Sequence, residues 1–498
     1  MVHRLMLLLI PIVFVFAPSV SAQEDPNVVV MKKLFTKLGS IMGVGSNDTD
    51  DTFLVLANPG TLIDPTLDLS KVADQYQLSR VLDKVMSPSW IYRPTNKQTL
   101  PLYKMILDFK ETPAKSVSPA QQALLTAARG RLFGPNNQHT PGFTNYRAAK
   151  KRLAQALDSC NAYLRTHPGE VLSNVLAAEL DEAHQDYNLA NTHPIGGTYA
   201  ADEETINSLG HLDPAVWWAQ LQTQLLLNTG NYNGAQFARY NLYPSYAEWS
   251  NPARQWTTIS LRQADLEQTT SSSHTSVGGG FSAGWGLWSV GADYSHQENR
   301  TFFKLDLSGY TLSFEAMRVE LDRPWMNDFV FHSRAWRWLN SAPLGTADKN
   351  ISDGGDAAHG QTPKGLMPFL PTALLVARNV TLTGGWSADL KTTFDSQTSA
   401  GGSIGWGPFS FGGRTNSSDS STYTKANVVG NTITFGSPQI LGYFVEVLPP
   451  TPFPDPTLNW PQMTPALTAP VASTPTTDPL LKRAQELLRQ VRAKSGTR

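Results

Sequence analysis

A single cysteine, Cys160, stands in 498 residues, so no disulfide can form within the chain and stability must come from packing, whatever the redox compartment. Cys160 falls on an apolar helical stripe, a setting that suits a buried core thiol rather than a nucleophile. Net charge is equally scarce. Lys and Arg number 40 against 41 Asp and Glu, a balance of −1 that creates no global field for a polyanion, so nucleic acid is not an expected partner. Charged residues make up only 16% of the chain, below the usual ~25%, and Ser, Thr, Gly, Asn and aromatics fill the gap, a composition suited to extracellular β-structure. No stretch reaches the roughly 20 apolar residues of a membrane-spanning helix. H-E-x-x-H, the phosphate-binding loop and G-x-G-x-x-G are all missing, so metalloprotease, nucleotidase and dinucleotide chemistries lack a motif and no cofactor is expected.

What is present begins with an export signal. His3 and Arg4 precede an apolar run from Leu5 to Phe16, and the small-residue ending Val20-Ser21-Ala22 precedes Gln23. That is the layout of a cleaved secretory signal peptide over 1–22, its apolar run of about a dozen residues being too short to span a bilayer. A secreted or extracytoplasmic location is the expectation.

From Asn27 to about Leu227 apolar residues recur mostly at helical spacing. Ser118-Pro119-Ala120-Gln121 reads as a capping box opening a helix whose Leu124, Leu125, Ala128 and Leu132 share a face, closed by Gly134. A second helix is expected from Asn145 to Arg165, stopped by His167-Pro168-Gly169, a third from Glu170 to Leu189, and a fourth from Asp213-Pro214 onward. A short strand-like run, Phe53 to Leu56, ends at Asn58-Pro59-Gly60.

Near Tyr240 the patterning changes to period two, and the sequence repeats itself. Residues 253–280 align without gaps on 377–404, sharing Ala253-Arg254 with Ala377-Arg378 and Ala264-Asp265-Leu266 with Ala388-Asp389-Leu390. After a three-residue insertion, Phe281 to Ala283, Gly284-Trp285-Gly286 matches Gly405-Trp406-Gly407, and the register continues to Met317 and Pro438. Duplication explains this better than shared composition, and two copies suggest two equivalent sheets or domains about a pseudo-dyad. Each copy switches phase. Val277, Phe281, Ala283, Trp285 and Leu287 are odd, Trp288, Val290 and Tyr294 even; in the second copy Ile404 and Trp406 are even, Phe409 and Phe411 odd. Such a switch requires a bulge, bend or tight turn, and Gly407-Pro408 favours a bend. Ser308-Gly309-Tyr310 and Val429-Gly430-Asn431 read as aligned turns, and Trp325 to Asn340 has helical spacing.

The expected fold class is therefore α+β: a mainly helical domain over 23–235, a sandwich-like antiparallel β region duplicated over 236–325 and 377–448, and a helix-and-loop insertion over 326–376 between the copies. A Pro/Thr-rich linker over 449–477 and a basic amphipathic helix over 478–498 follow.

Signals for catalysis are thin. Gly280-Phe281-Ser282-Ala283-Gly284 matches the nucleophile elbow G-x-S-x-G, but Ser-rich alternation precedes it and Gly-Trp-Gly-Leu-Trp follows, where an elbow needs a buried strand and a helix. Asp353, Asp356 and His359, and Asp48, Asp50 and Asp51, lack a ligand spacing and read as solvated turn residues. Thus no catalytic or metal residue is singled out. Sequons at Asn47, Asn299, Asn350, Asn379 and Asn416 occur about as often as chance provides. The chain has 13 tryptophans, several of them in the repeat. Trp285, Trp288, Trp406 and Phe409 are the candidate contacts for a membrane or ligand if exposed, although the continuous apolar faces around Trp285 and Trp406 favour a core. Polar Ser/Thr strands leading into an apolar, aromatic, Gly-rich bend resemble the insertion hairpins of β-pore-forming toxins, over roughly 30 residues per copy. Two ordinary sheet hairpins account for the same pattern. The expected function is binding or interaction, membrane-active in its sharpest form, with membrane lipid or extracellular glycan as partner. A secreted hydrolase acting on an extracellular polymer is the alternative.

Overall fold

The computed structural model describes residues 26–42, 52–64, 66–86, 91–92, 95, 97–167, 172–250, 256–267, 288–290, 306–343, 350–355, 363–385, 392, 394–396, 402–416 and 421–461. Residues to Asn459 form one compact unit, with Trp460–Arg498 as a second. The signal peptide, both Asp50 and Ser282, and the helix expected over 478–498 lie outside the described residues.

Helices take 41% and antiparallel sheets 30%, so the fold is α+β. Helices α1 (Pro26–Met42), α2 (Val72–Leu82) and α3 (Thr99–Phe109) precede a helical layer of α4 (Pro119–Leu132), α5 (Pro141–Thr166), α6 (Asn174–Asn191), α7 (Tyr199–Leu209) and α8 (Pro214–Asn228). Local signals set its boundaries. Ser118 and Gln121 complete the capping box of α4, and Thr140, Ser173 and Thr198 each accept an N–H of the first turn of α5, α6 and α7. Their apolar faces gather around fully buried Tyr103, Tyr146, Trp217, Trp325 and Trp336. Cys160 is buried on α5, and burial raises its thiol pKa.

The strands are β1 (Thr52–Leu62), β2 (Ile91–Tyr92), β3 (Lys110–Glu111), β4 (Thr229–Tyr232), β5 (Ala235–Ala238), β6 (Asn241–Tyr243), β7 (Thr257–Arg262), β8 (Trp288–Val290) and β9 (Asp306–Asp322). They continue with β10 (Arg337–Trp338), β11 (Phe369–Gly385), β12 (Ile404–Trp406), β13 (Phe409–Phe411), β14 (Gly413–Asn416), β15 (Ser421–Thr424), β16 (Asn427–Val429), β17 (Thr432–Phe435) and β18 (Gln439–Val447). Short helices α9 (Gln263–Glu267) and α10 (Phe329–His332) complete the set.

Among the described residues nine strands form the main sheet. Long β9 and β11 pair antiparallel from Ala373↔Glu320 to Gly385↔Asp306. The outer edge of β9 takes β7 at one end and β6 at the other, and β11 takes β17 and β18. β1 extends the sheet beyond β18 and carries β2 in parallel. Alternation along β9 sends Leu312, Phe314 and Ala316 to one face, packed on α1, and Met317, Val319 and Leu321 to the other, packed with Leu78 and Leu82 of α2.

Several expectations change. The long strands of the two aligned stretches, β9 and β11, lie in one sheet rather than in two equivalent ones, because they pair with each other. The segment expected to be mainly helical supplies β1, which bulges between Leu56 and Thr61 instead of ending at Asn58-Pro59-Gly60. Trp325 to Asn340 yields only the short α10 and β10, its Trp325, Phe331 and Trp336 buried one by one in the helical core. The insertion expected to 376 ends earlier, since β11 starts at Phe369; buried on both faces, it shows an apolar run where alternation was sought. Ser308-Gly309-Tyr310 is no turn but runs through β9, with Gly309 at φ +68°. The segment 449–459, expected as free linker, packs on the unit: Thr451 is buried and donates to the Phe331 carbonyl, and its N–H reaches Ser352 O at 2.9 Å.

Two glycines test the packing from opposite sides. A Cβ on Gly442 of β18 would lie 2.6 Å from Val55 O, so Gly442→Ala should destabilise by about 1–3 kcal/mol by forcing β1 and β18 apart. Gly39 on α1 has open space, and Gly39→Ala should stabilise by about 0.5–1 kcal/mol. Urea midpoints of the two variants should move in opposite directions.

Candidate functional site

Trp406, Phe409 and Phe411 lie in a small second sheet, β13-β12-β8, laid on one face of the main sheet beside α1. β12 and β13 are joined by the two-residue turn Gly407-Pro408, which pairs Trp406 with Phe409. A tight hairpin of this kind places i and i+3 on the same side, which is why the apolar phase flips there; the bend expected at this place is a turn. Gly407 has φ +53°, and a Cβ on it would lie 2.5 Å from Met31 Sδ of α1, so the turn needs glycine for conformation and for close approach. β8 pairs the other edge of β12, Trp288 opposite Trp406 along the backbone.

Of the four candidate contact residues, Trp285 lies outside the described residues and only the backbone of Trp288 is described. Trp406 and Phe409 are completely buried, which removes them as surface contacts in this conformation. Their rings stack at 6.1 Å; Trp406 also meets Tyr310 at 6.4 Å, and Phe409 meets Phe314 edge-on at 5.1 Å. Each such ring gains roughly 1.5–3 kcal/mol from burial. One group beneath them is left wanting. The Tyr310 hydroxyl is buried with no hydrogen-bond partner among the described residues, and burial holds its pKa well above the usual value.

A polar clasp fastens β13 to the main sheet. Ser410 N–H donates to Gln439 Oε1 at 2.7 Å, Gln439 Nε2 donates back to Ser410 O at 3.3 Å, and Ser410 Oγ donates to Gly60 O at 2.5 Å. Gly60 N–H completes the set by donating to Pro408 O at 2.9 Å. The bulge in β1 presents Gly60 here, and a Cβ on it would sit 2.5 Å from Pro408 O. Gln439 and Ser410 are both buried, so their hydrogen bonds are costly to lose. No composition or period marks this clasp; a glutamine in an otherwise apolar strand run, Gln439-Ile440-Leu441, was the available signal.

A second cluster joins α5 to the end of β9. Arg147 pairs with Asp322, whose other oxygen accepts from Asn241 Nδ2 at 2.9 Å, while Lys151 and Arg318 hold Glu320 at 3.4 and 2.9 Å. Lys150 and Tyr146 both reach Glu203 Oε2, at 2.8 and 3.4 Å. A cleft of about 210 Å³ opens beside these groups. Arg147 also lies 3.3 Å from His139 Nδ1; a guanidinium only donates, so that nitrogen accepts and the imidazole is neutral. Burial, then the Arg147 charge, lower the His139 pKa to about 4, against the pull of Asp322. Because Glu203, Glu320 and Asp322 are each engaged by cations, the cluster reads as an interlayer seam rather than a hydrolase cleft. Asp353, from the loop considered for metal, accepts the N–H groups of Gly355 and Lys364 as a turn residue, and Asp356 and His359 lie outside the described residues.

Comparison with known protein families, curated proteins and solved structures finds no match. No helix among the described residues is long and apolar enough to cross a membrane.

Gln439→Leu leaves both backbone groups of Ser410 unpaired and should lower stability by about 2 kcal/mol or more in urea unfolding, with Gly60→Ala acting in the same direction. His139 supplies a pH test. Its folded pKa of about 4 lies below the ordinary 6.5, so the unfolded chain binds the extra proton, and stability falls as pH drops from about 6.5 to 4. The loss is at most about 3 kcal/mol. His139→Asn should flatten that part of the stability profile, and an unchanged slope would assign the acid sensitivity elsewhere.

Proposed function

We propose that this chain is an exported, membrane-active binding protein whose two aligned stretches are copies that each contribute a hairpin to the bilayer. One observation carries the reading: connection 263–305, between β7 and β9, leaves and returns at the end of the sheet where connection 386–426 leaves β11. Arg262 sits opposite Thr311, Gly385 opposite Asp306, and Thr383 opposite Thr432. Neighbouring strands β7, β9 and β11 thus open into the two connections side by side, whereas β16, which receives the second, runs in the same direction as β11 with β17 between them. Extended from there, the two would lengthen β7, β9 and β11 without changing their order, and the returning limb of the second would pair beside β11 once the turn between β16 and β17 opened. Every new backbone group except those at the edges would find a partner, as a lipid environment demands. Each connection exceeds the roughly 20 residues that two bilayer-spanning strands require.

Duplication draws support from the same elements. β8 and β13 occupy aligned positions and flank β12 on either side, and the aligned Gly309 and Gly430 have φ of +68° and +57°. The first strand of each copy pairs antiparallel with a later strand of its own copy, β7 with β9 and β11 with β17.

Trp406, Phe409 and Phe411 must leave the sheet face for this to happen. In water, releasing such rings costs several kcal/mol; in lipid most of that cost disappears. The buried, unpartnered Tyr310 hydroxyl favours release as well.

The test uses the mature chain carrying Cys160→Ala and single cysteines from 277 to 287, each labelled with an environment-sensitive dye. On addition of phosphatidylcholine vesicles, odd positions should report an apolar environment and even ones water, together with release of trapped dye. Tyr310→Phe should slow release by stabilising the packed layer. No leakage and no spectral change at any position with neutral or anionic lipid would sink the reading.

A further inference from the structure

The cleft beside α5 holds polar groups that neither the interlayer seam nor the hairpin reading uses. It consists of two hollows, of about 210 and 90 Å³, which share Arg147, Glu203, Met326 and Asp328 in their walls and so adjoin. Together they offer the room of one small ring, at the lower end of small-molecule sites.

Every cation of the lining is already engaged. Arg147 is paired with Asp322, Lys150 with Glu203 and Lys151 with Glu320. Arg323 is buried, with its guanidinium 5.6 Å from the centre of the Tyr240 ring and its charge acting on Asp83. An anionic ligand therefore finds no cation to spare, and an ammonium would have Arg147 and Lys150 among its neighbours. Charge balance favours a neutral guest.

Hydrogen-bonding capacity, by contrast, is left over. The exposed Asp328 carboxylate makes no hydrogen bond or ion pair among the described residues, and neither does the half-buried Asn207 carboxamide. Glu203 receives both Lys150 and Tyr146 on Oε2, which leaves Oε1 as an acceptor. All three residues line the narrower hollow together with the partly exposed ring of Phe133. Carboxylates accept the O–H groups of a polyhydroxylated ring through charge-assisted hydrogen bonds, and a carboxamide both donates and accepts. An aromatic ring beside them supplies an apolar surface for the C–H face of such a guest.

We propose that this cleft binds a neutral hexose ring. Two adjacent ring hydroxyls donate to Asp328, a further one exchanges hydrogen bonds with Asn207, and Phe133 carries the C–H face. A free or polymer-borne sugar and a glycolipid headgroup present the same chemistry.

Saturation-transfer NMR and titration calorimetry of the mature chain test this with glucose, galactose, mannose and N-acetylglucosamine as probes. A phosphorylated glucose, glucosamine and glycerol serve as anionic, cationic and acyclic controls. At least one neutral hexose should bind about tenfold more tightly than every control. Asp328→Ala should weaken it by about tenfold and Asn207→Ala several-fold, since each removes hydrogen bonds to the ring. Thermal melts check that the variants stay folded. A parallel arm measures binding to phosphatidylcholine vesicles alone and with glucosylceramide or galactosylceramide. Vesicle binding that needs the glycolipid and is lost in Asp328→Ala identifies a lipid headgroup, and soluble binding alone a free or polymer-borne sugar; both support the site. No binding of any probe, a preference for a charged control, or binding indifferent to both variants overturns it. Dye release plays no part in this readout, so failure of the hairpin reading would leave the result intact.

Discussion

Antiparallel pairing of β9 with β11 is the interaction on which the rest of the molecule depends. It joins the long strands of the two aligned stretches in one sheet, and its outer edges receive β6 and β7 on one side and β17 and β18 on the other. Its register cannot slip by one residue without turning Leu312 and Phe314 away from α1 and exchanging the contents of two cores. The helical layer is tied to the same strand. Arg147 and Lys151 of α5 reach Asp322 and Glu320 near the end of β9, so the interlayer seam and the sheet share one backbone.

The small β13-β12-β8 sheet is attached differently. It shares no ladder with the main sheet and is held by aromatic burial and a few buried hydrogen bonds around Gly60, Ser410 and Gln439. Those contacts sum to a substantial free energy, yet none of them is part of the β9 to β11 pairing. The layer can in principle separate while the main sheet keeps every ladder hydrogen bond. Its attachment runs through side chains and one bulged strand rather than through a continuous ladder.

Much of the helical half was legible because its signals are local. The capping box at Ser118 and Pro214 after Asp213 act within one turn, and the helices begin there, whereas α5 starts at Pro141 after the cap Thr140, ahead of the Asn145 expected. α7 was passed over although Thr198 and Asp202 mark its start; its apolar face is narrow, with Ile206 and Tyr199 its main buried contacts. The phase flip at Trp406 and Phe409 was legible as an event, but its identity as a two-residue hairpin turn needed the partner strand. What sequence reading could not supply was pairing. β11 is covered on both faces and loses alternation, and β1 lies hundreds of residues from its neighbour β18, so neither the single sheet nor the clasp was visible. Burial of Trp406 followed the continuous apolar face, whereas its use as a contact rested on a solvent exposure that this arrangement denies it.

The pairing of β1 with β18 carries a consequence for the order in which the chain acquires structure. Val55 meets Tyr443 and Leu54 meets Phe444, contacts between the two ends of the compact unit. A chain growing from its N-terminus can form α4 to α8 from neighbours in sequence, but β1 cannot complete its ladder into the main sheet until β18, ending at Val447, has been delivered. Closing so long a loop is slow, because the entropy is lost before the contacts that compensate for it exist. Until then β1 and β11 each present an unsatisfied edge, the kind of surface that pairs with other chains. The last strand made thus decides whether the first one folds or aggregates, and any shortening that removes β18 would convert a buried central strand into two exposed ones.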